Sequence, residues 1–360
     1  MGEDAAPARA REGSGSAAAA GARITAPAWL YELLGLSVPK EGEEVRLSGR
    51  RFVCADGVLR ASEGAGEGAQ RQTGRTFGYK WKRRESFDSP ASLARMRAWL
   101  VERYGDVAHA GFWEELGPSP LVLDAGCGAA LSALELFGER LAKVRYLGVD
   151  LSEAVDVARQ RFAERGLPGA FLQVDLSEIP LARGSVDLIF SEGVLHHTDS
   201  TRTSLLRLAE LLAPGGRFLF YVYRRKGPIR EFTDDYLRER LQALSPEEAW
   251  ERLLPLTRLG QALGELDAWV EVPEAVELLG IPAGRISIQR LFYWHVFKAF
   301  YDPELSLEEL HHINFDWYAP ANAHRQSPEE VRGWCAEAGL VVEREVLEPA
   351  GITVVARRPR

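Results

Sequence analysis

Cysteine is scarce: 360 residues hold three, Cys54, Cys127 and Cys335, far apart and with no C-x-x-C pair. That spacing excludes a disulfide framework and a cysteine zinc site, and leaves three thiols expected to be reduced. A basic excess is lacking too. The formal net charge of -8 argues against a general nucleic-acid binder, which carries a basic balance or stripe. Long apolar runs are missing, because charges interrupt each one before the ~18 residues of a membrane span. The opening MGEDAAPARAREGSGSAAAAGA is acidic at its start and has only a short alanine run. It suggests neither a secretion signal nor, without Ser or Thr at the sixth position, a myristoylation site, so a cytoplasmic protein without membrane partners is expected. Two local basic clusters, KWKRR (80–84) and RRK (224–226), read as solvated faces.

What is present, 46% hydrophobic and 27% charged residues, is enough chain for about two globular units. Residues 1–25 are Ala, Gly, Ser and Arg with almost no large apolar side chains, and read as a disordered tail. Residues 26–90 form a small extension, with a hairpin expected around Asp56-Gly57 and a Gly-rich loop in SEGAGEGAQ. SPASLARMRAWLVERYG is a capped amphipathic helix opened by Ser89-Pro90. From 121 to 223 short apolar runs (LVLDAG, VRYLGVD, AFLQVD, VDLIFS, RFLFYVY) alternate with helix-patterned segments. Such alternation is the signature of βαβ units on a parallel, doubly wound sheet, so 91–223 is read as an α/β core. Residues 224–326 show helical periodicity without clear strands and read as a helical insertion. The end, 327–360, reads as a helix from SPEE to Gly339 and an antiparallel hairpin that completes the sheet.

The chemistry gathers at strand ends. LVLDAGCGAA carries a strand into Asp124, then Gly126 and Gly128, then a helix whose N-terminus offers free N–H groups. Position 131 is Leu, so the third glycine of a dinucleotide fingerprint is absent. YLGVDLS ends the next strand at Asp150, where a carboxylate can take both hydroxyls of a ribose. FLQVDLSEIP ends the following one at Asp175, which can accept from an exocyclic amine. Together they describe a pocket for an adenosine whose tail is not a pyrophosphate. SEGVLHHTDS (191–200) then sets His196 and His197 just past a fourth strand. Metal ligands, a catalytic base and packing are the three readings. Adjacent rings diverge and cannot chelate one ion, and the spacing of His295, His311 and His312 suggests no further ligands, so no metal is expected. A neutral imidazole there is suited to take a proton from an acceptor. His197 is favoured over His196, because in the families resembled below the first position often belongs to the strand-end hydrogen-bond network.

VLDAGCG (122–128), LGVD (147–150), VDL (174–176), VDLIFSEGVLHHTDS (186–200) and LLAPGGRFLF (211–220), in this order and spacing, resemble the class I S-adenosylmethionine-dependent methyltransferases. The resemblance implies a Rossmann-like, seven-stranded, mostly parallel sheet with a reversed last hairpin. It implies Gly126 and Gly128 at the methionine part of S-adenosylmethionine, Asp150 on the ribose and Asp175 near the adenine, with Asp124, Cys127, Leu151, Leu176, Ser191, Glu192 and Tyr79 as further cofactor contacts. Ala130 stands where the family often has a third glycine. QTGRTFGYKW (72–81) resembles an element preceding this domain in a bacterial group linked to sugar-rich polymers or secondary metabolites. FVCADGVLRA resembles a zinc-ribbon-like module stripped of its paired cysteines, and 313–340 resembles another segment of that group.

Substrate contacts are expected from Tyr223, from Arg224, Arg225 or Arg230 toward a phosphate or carboxylate, from Tyr293 and His295, and from Asp316, Tyr318 and His324 in a polar loop over the sheet edge. Most aromatics of LFYWHVFKAFY (291–301) read as core. The function expected is methyl transfer to a small molecule or a glycan-type or secondary-metabolite precursor. A peptide or protein methyltransferase and a non-catalytic cofactor-binding scaffold are the rivals. RNA is less favoured by the acidic balance, and a homodimer stays open.

Overall fold

A computed structural model describes residues 26–62 and 68–360; the expected disordered tail and part of the Gly-rich loop lie outside these. In chain order the elements are α1 (Ala28–Leu34), β1 (Glu44–Leu47), β2 (Arg50–Ala55), β3 (Val58–Ala61), α2 (Ala69–Lys82), α3 (Pro90–Tyr104), α4 (Phe112–Leu116), β4 (Leu121–Ala125), α5 (Leu131–Phe137), β5 (Arg145–Asp150), α6 (Ala154–Glu164), β6 (Ala170–Gln173), β7 (Val186–Glu192), α7 (Thr201–Leu211) and β8 (Leu212–Tyr223). They continue with α8 (Pro228–Leu241), α9 (Pro246–Glu265), β9 (Trp269–Val272), β10 (Gly284–Ser287), α10 (Ile288–His295), α11 (Leu307–Tyr318), α12 (Pro328–Glu337), β11 (Val341–Leu347) and β12 (Gly351–Arg357).

One ten-stranded sheet runs β1-β2-β3-β6-β5-β4-β7-β8-β12-β11. The seven strands from β6 to β11 are the expected Rossmann-like set, parallel from β6 to β8 and then reversed by the antiparallel β12–β11 hairpin. The other three belong to the N-terminal extension. The hairpin at Asp56-Gly57 forms as β2–β3, and β3 joins β6 in parallel through Leu59↔Leu172 and Arg60↔Gln173. Successive side chains of a strand point to opposite faces. Thus Val122, Leu188, Phe190, Leu219 and Tyr221 pack on one face against α3, α5 and α6, while Leu123, Ile189, Phe218, Phe220 and Val222 pack on the other against α1, α7 and α12. Burial on both faces is why these strands read as continuous apolar runs.

Caps fix the helix starts. Ser89 accepts from Ser92 N–H at the head of α3, and Ser327 and Glu330 make a capping box on α12. The insertion departs from its expected all-helical character: β9 and β10 form a two-stranded antiparallel hairpin between α9 and α10. Four-residue strands with mixed exposure leave little periodicity to read. The expected polar loop at 316–318 is also corrected, because a Ser306–Glu309 capping box starts α11, which runs through Asp316 to Tyr318. Among the described residues no helix is long and apolar enough to cross a membrane.

Candidate functional site

β4, β5 and β7 end side by side, and the chain order reverses direction on either side of β4. Such a switch point opens a crevice at the carboxyl edge of the strands. There the turn after β4 carries Gly126 at φ +85°, where a Cβ would lie 2.2 Å from Val194 Cγ1, and Gly128 at φ +50°, where a Cβ would lie 2.8 Å from Trp81 Nε1. Only glycine meets both the left-handed backbone and the close approach. Ala130 takes φ 57° with a side chain, and so carries backbone strain that a glycine there would not.

Asp150 closes this turn: its Oδ2 accepts from Gly128 N–H at 2.9 Å, and its Oδ1 accepts from Ser152 N–H (2.8 Å) and Oγ–H (2.7 Å). Each carboxylate oxygen has two lone pairs, so Oδ2 keeps one for a ligand. Burial raises its pKa. Around Gly126 and Asp150 lies a cavity of about 360 Å³, reached also by Leu151, Leu176, Glu192, His197, Tyr223, Arg230, Tyr293 and Asp316. Cysteine- or histidine-rich clusters are not part of it, and among the described residues no group of three or more His, Cys, Asp or Glu is placed to hold a metal ion.

The two histidines are unlike. His197 Nδ1 is 2.6 Å from the Asn322 carbonyl, which fixes that nitrogen as the N–H donor, and its buried Nε2 has no partner. Burial lowers its pKa to about 4, with Asp316 opposing, so the ring is neutral near pH 7. His196 does not reach the cavity. Its ring lies 3.6 Å from that of Tyr223, and both its nitrogens are buried without partners.

Several expected contacts lie elsewhere. Asp124 is buried behind the turn, where it accepts from Tyr146 O–H at 2.5 Å; burial, against that hydrogen bond, raises its pKa to about 7. Cys127 packs toward Gly148, and Ser191 ties β7 to β4 by donating to Ala125 O at 2.8 Å. Asp175 folds back to accept from Ser177 N–H and Oγ–H instead of lining the cavity. Tyr79 packs on Trp250 and Phe315. Arg224 turns toward the Glu348 carbonyl, Arg225 pairs with Glu330, and the Tyr318 hydroxyl accepts from Lys298 N–H at 2.6 Å. His324 is exposed and His295 half-buried, neither on the cavity.

The roof comes from α2, the QTGRTFGYKW segment. Gly74 and Gly78 let this helix approach Leu151 and Ser152, and Trp81 covers Gly128. Gln72 bridges Ala319 O (2.9 Å) and Ala321 N–H (2.7 Å), Thr73 Oγ1 accepts from Asn322 N–H, and Gln70 Oε1 accepts from Asn322 Nδ2. The same 319–322 segment thus holds both α2 and His197.

Of the cations on the cavity, sequence reasoning named Arg230 and missed the others. Lys80 and Lys226, in the two clusters read as solvated faces, are buried and half-buried respectively, and both line the cavity with Lys298 and Arg95. Lys80 pairs with Asp316, which also accepts from Tyr223 O–H at 3.1 Å. Burial pushes the Asp316 carboxyl up, but Lys80, with His197 and Lys298 beyond it, more than offsets this and holds it well below the usual range. Trp294 and Phe300, read as core, and Trp99 from α3 also reach the cavity. The one available signal was basic residues flanked by aromatics, in YKWKRR and VFKAFY.

Residues 123–220 match the family model described as a methyltransferase domain. An uncharacterised methyltransferase of Mycobacterium tuberculosis is 37% identical over 95 residues, 26% of this chain and 46% of that protein. Malonyl-[acyl-carrier protein] O-methyltransferase of Serratia marcescens is 31% identical over 146 residues, 40% of this chain and 52% of that protein. The chain spans about half the length of these curated relatives. Among solved structures, an O-methyltransferase family protein from Burkholderia thailandensis is similar at a TM-score of 0.44 and 13% identity, over 79% of this chain and 61% of that one.

Proposed function

We propose that the chain, whose residues 123–220 match a methyltransferase domain, is a class I S-adenosylmethionine-dependent methyltransferase that methylates a small organic acceptor, of the glycan-precursor or secondary-metabolite kind, held beside His197. The observation that carries this reading is that one cavity contains both the Gly126–Asp150 cradle and a neutral imidazole whose Nε2 is unpartnered. The cradle suits S-adenosylmethionine: Gly126 leaves room for close backbone approach, and Asp150 Oδ2 keeps a lone pair for a ribose hydroxyl. When bound, that cofactor supplies an electrophilic methyl on a sulfonium.

The chain's own part is positioning and proton handling. α2 and the insertion exclude water and hold the acceptor at the sheet edge, which removes much of the entropic cost of a two-reactant step. His197 Nε2 takes the proton of the attacking group, Asn322 O keeps the ring oriented, and the Asp316 charge favours the imidazolium that results. Glu192 waits at the same edge, its pKa raised to about 7 by burial against the opposing Arg103 charge and Tyr104 hydrogen bond.

Calorimetry with S-adenosylhomocysteine tests the cradle. Asp150→Ala is expected to weaken binding by about ten-fold or more, the scale of a lost hydrogen bond to a charged group; unchanged affinity would sink the assignment. His197→Ala is expected to keep that affinity and lose turnover by about a hundred-fold or more. The parent's kcat/KM is expected to hold down to a pH near 4, the pKa of His197, and an acid limb near the ordinary histidine value would contradict it. Cofactor binding with no turnover over a broad acceptor panel would favour the scaffold reading.

A further inference from the structure

Away from the cradle, the insertion builds the other end of the cavity around Trp317. Three cationic groups surround that ring: Lys298 Nζ at 4.7 Å, Arg230 Cζ at 5.2 Å and Lys226 Nζ at 5.3 Å from its centroid. The nearest carboxylates each have another cationic partner, although Asp234 keeps one buried oxygen, Oδ2, without a hydrogen bond. Asp234 pairs with Arg230 at 2.9 Å, Asp235 with Arg238 at 2.9 Å, Glu231 with Arg325 at 2.9 Å, and Asp316 with Lys80. Lys226 Nζ donates only to the Arg224 and Ala350 carbonyls. Lys298 is 8% exposed, and its Nζ makes no hydrogen bond or ion pair among the described residues. Arg95 enters the cavity from α3 with its buried Nε unpartnered.

Ammonium groups set in a largely apolar cavity with no carboxylate in direct ion-pair contact are costly, and proteins keep them where something else supplies that contact. The dispersed aromatic walls, Trp317, Tyr293 and Phe300, cannot do so fully. We propose that this end of the cavity is a subsite for an oxyanion, carboxylate or phosphate, carried by the methyl acceptor, with Lys298 and Lys226 as its partners and the aromatic rings holding an apolar body between it and His197. The Tyr223 ring sits 4.3 Å from Trp317 and 5.4 Å from His197, so the body spans the stretch from base to anion along these faces. Acceptor selection then combines charge at one end with a transferable proton at the other.

The inference rests on the cofactor reading above, and the full chain tests the two separately. With S-adenosylhomocysteine present, benzoate and phenyl phosphate are titrated against neutral benzamide by calorimetry. At least one anion is expected to bind about ten-fold tighter than benzamide, the tighter of the two naming the oxyanion. Lys298→Met is expected to erase that preference, keep S-adenosylhomocysteine affinity, and melt no lower than the parent when ligand-free, because it removes an unpaired buried charge; Lys226→Met repeats the test at the second ammonium. Equal binding of benzamide and both anions, or an anion preference surviving in both variants, overturns the subsite while leaving the cofactor reading intact. An anion preference without any S-adenosylhomocysteine binding does the reverse.

Discussion

Gly126 and Ala130 share left-handed backbone but not its consequences. At Gly126 an added methyl meets Val194 at 2.2 Å, so Gly126→Ala is expected to cost about 2 kcal/mol or more in urea denaturation and to abolish cofactor binding. At Ala130 the strain at φ 57° and the burial of the methyl nearly cancel. Ala130→Gly is therefore expected to stay within about 1 kcal/mol of the parent. Asp124 offers a titration test. Its folded pKa, raised to about 7, means that the neutral form supports folding: the contribution is whole below the unfolded value near 4 and is lost as pH rises to about 7. Asp124→Asn can still accept from Tyr146 and cannot ionise. Its stability relative to the parent is expected to grow from about pH 4 to about pH 7 and then level off in pH-resolved denaturation.

Elements with a strong period were legible. The capped helix at 90–104, the βαβ run and the final helix and hairpin stand where the pattern of apolar residues puts them. β9 and β10 were not, since four half-exposed residues carry no decisive period. Among site residues, Gly126, Asp150 and His197 were readable from strand-end position. Lys80 and Lys298 were not, because a lysine in sequence looks solvated until an aspartate more than 200 positions away, or an aromatic wall, encloses it. The element with most leverage is α2. Gln72→Ala leaves Ala319 O and Ala321 N–H unpaired, a cost of about 1–3 kcal/mol for each buried group. Hydrogen exchange is expected to accelerate selectively across α2, with S-adenosylhomocysteine binding weakened and the sheet strands protected as before; uniform acceleration would show that α2 is not a separate roof.

On the scale of the whole molecule, the N-terminal extension serves two distant places at once. β1 to β3 lengthen the sheet beyond β6, and the outer edge passes to β1, whose Glu44 and Arg46 suit an edge that must not pair with another chain. The same extension sends α2 across to residues 319–322, and the bonds from Gln72 and Thr73 to that segment join positions 249 apart in the chain. Contacts so remote in sequence form late, since the intervening loop must be closed before they return any energy. The cradle at Gly126 and Asp150, made from neighbouring βα turns, can therefore assemble while the cavity is still open above it. During synthesis, the wall from α11 and the closing 319–322 segment emerge more than 150 residues after Asp150, so the floor of the cavity is made long before its wall.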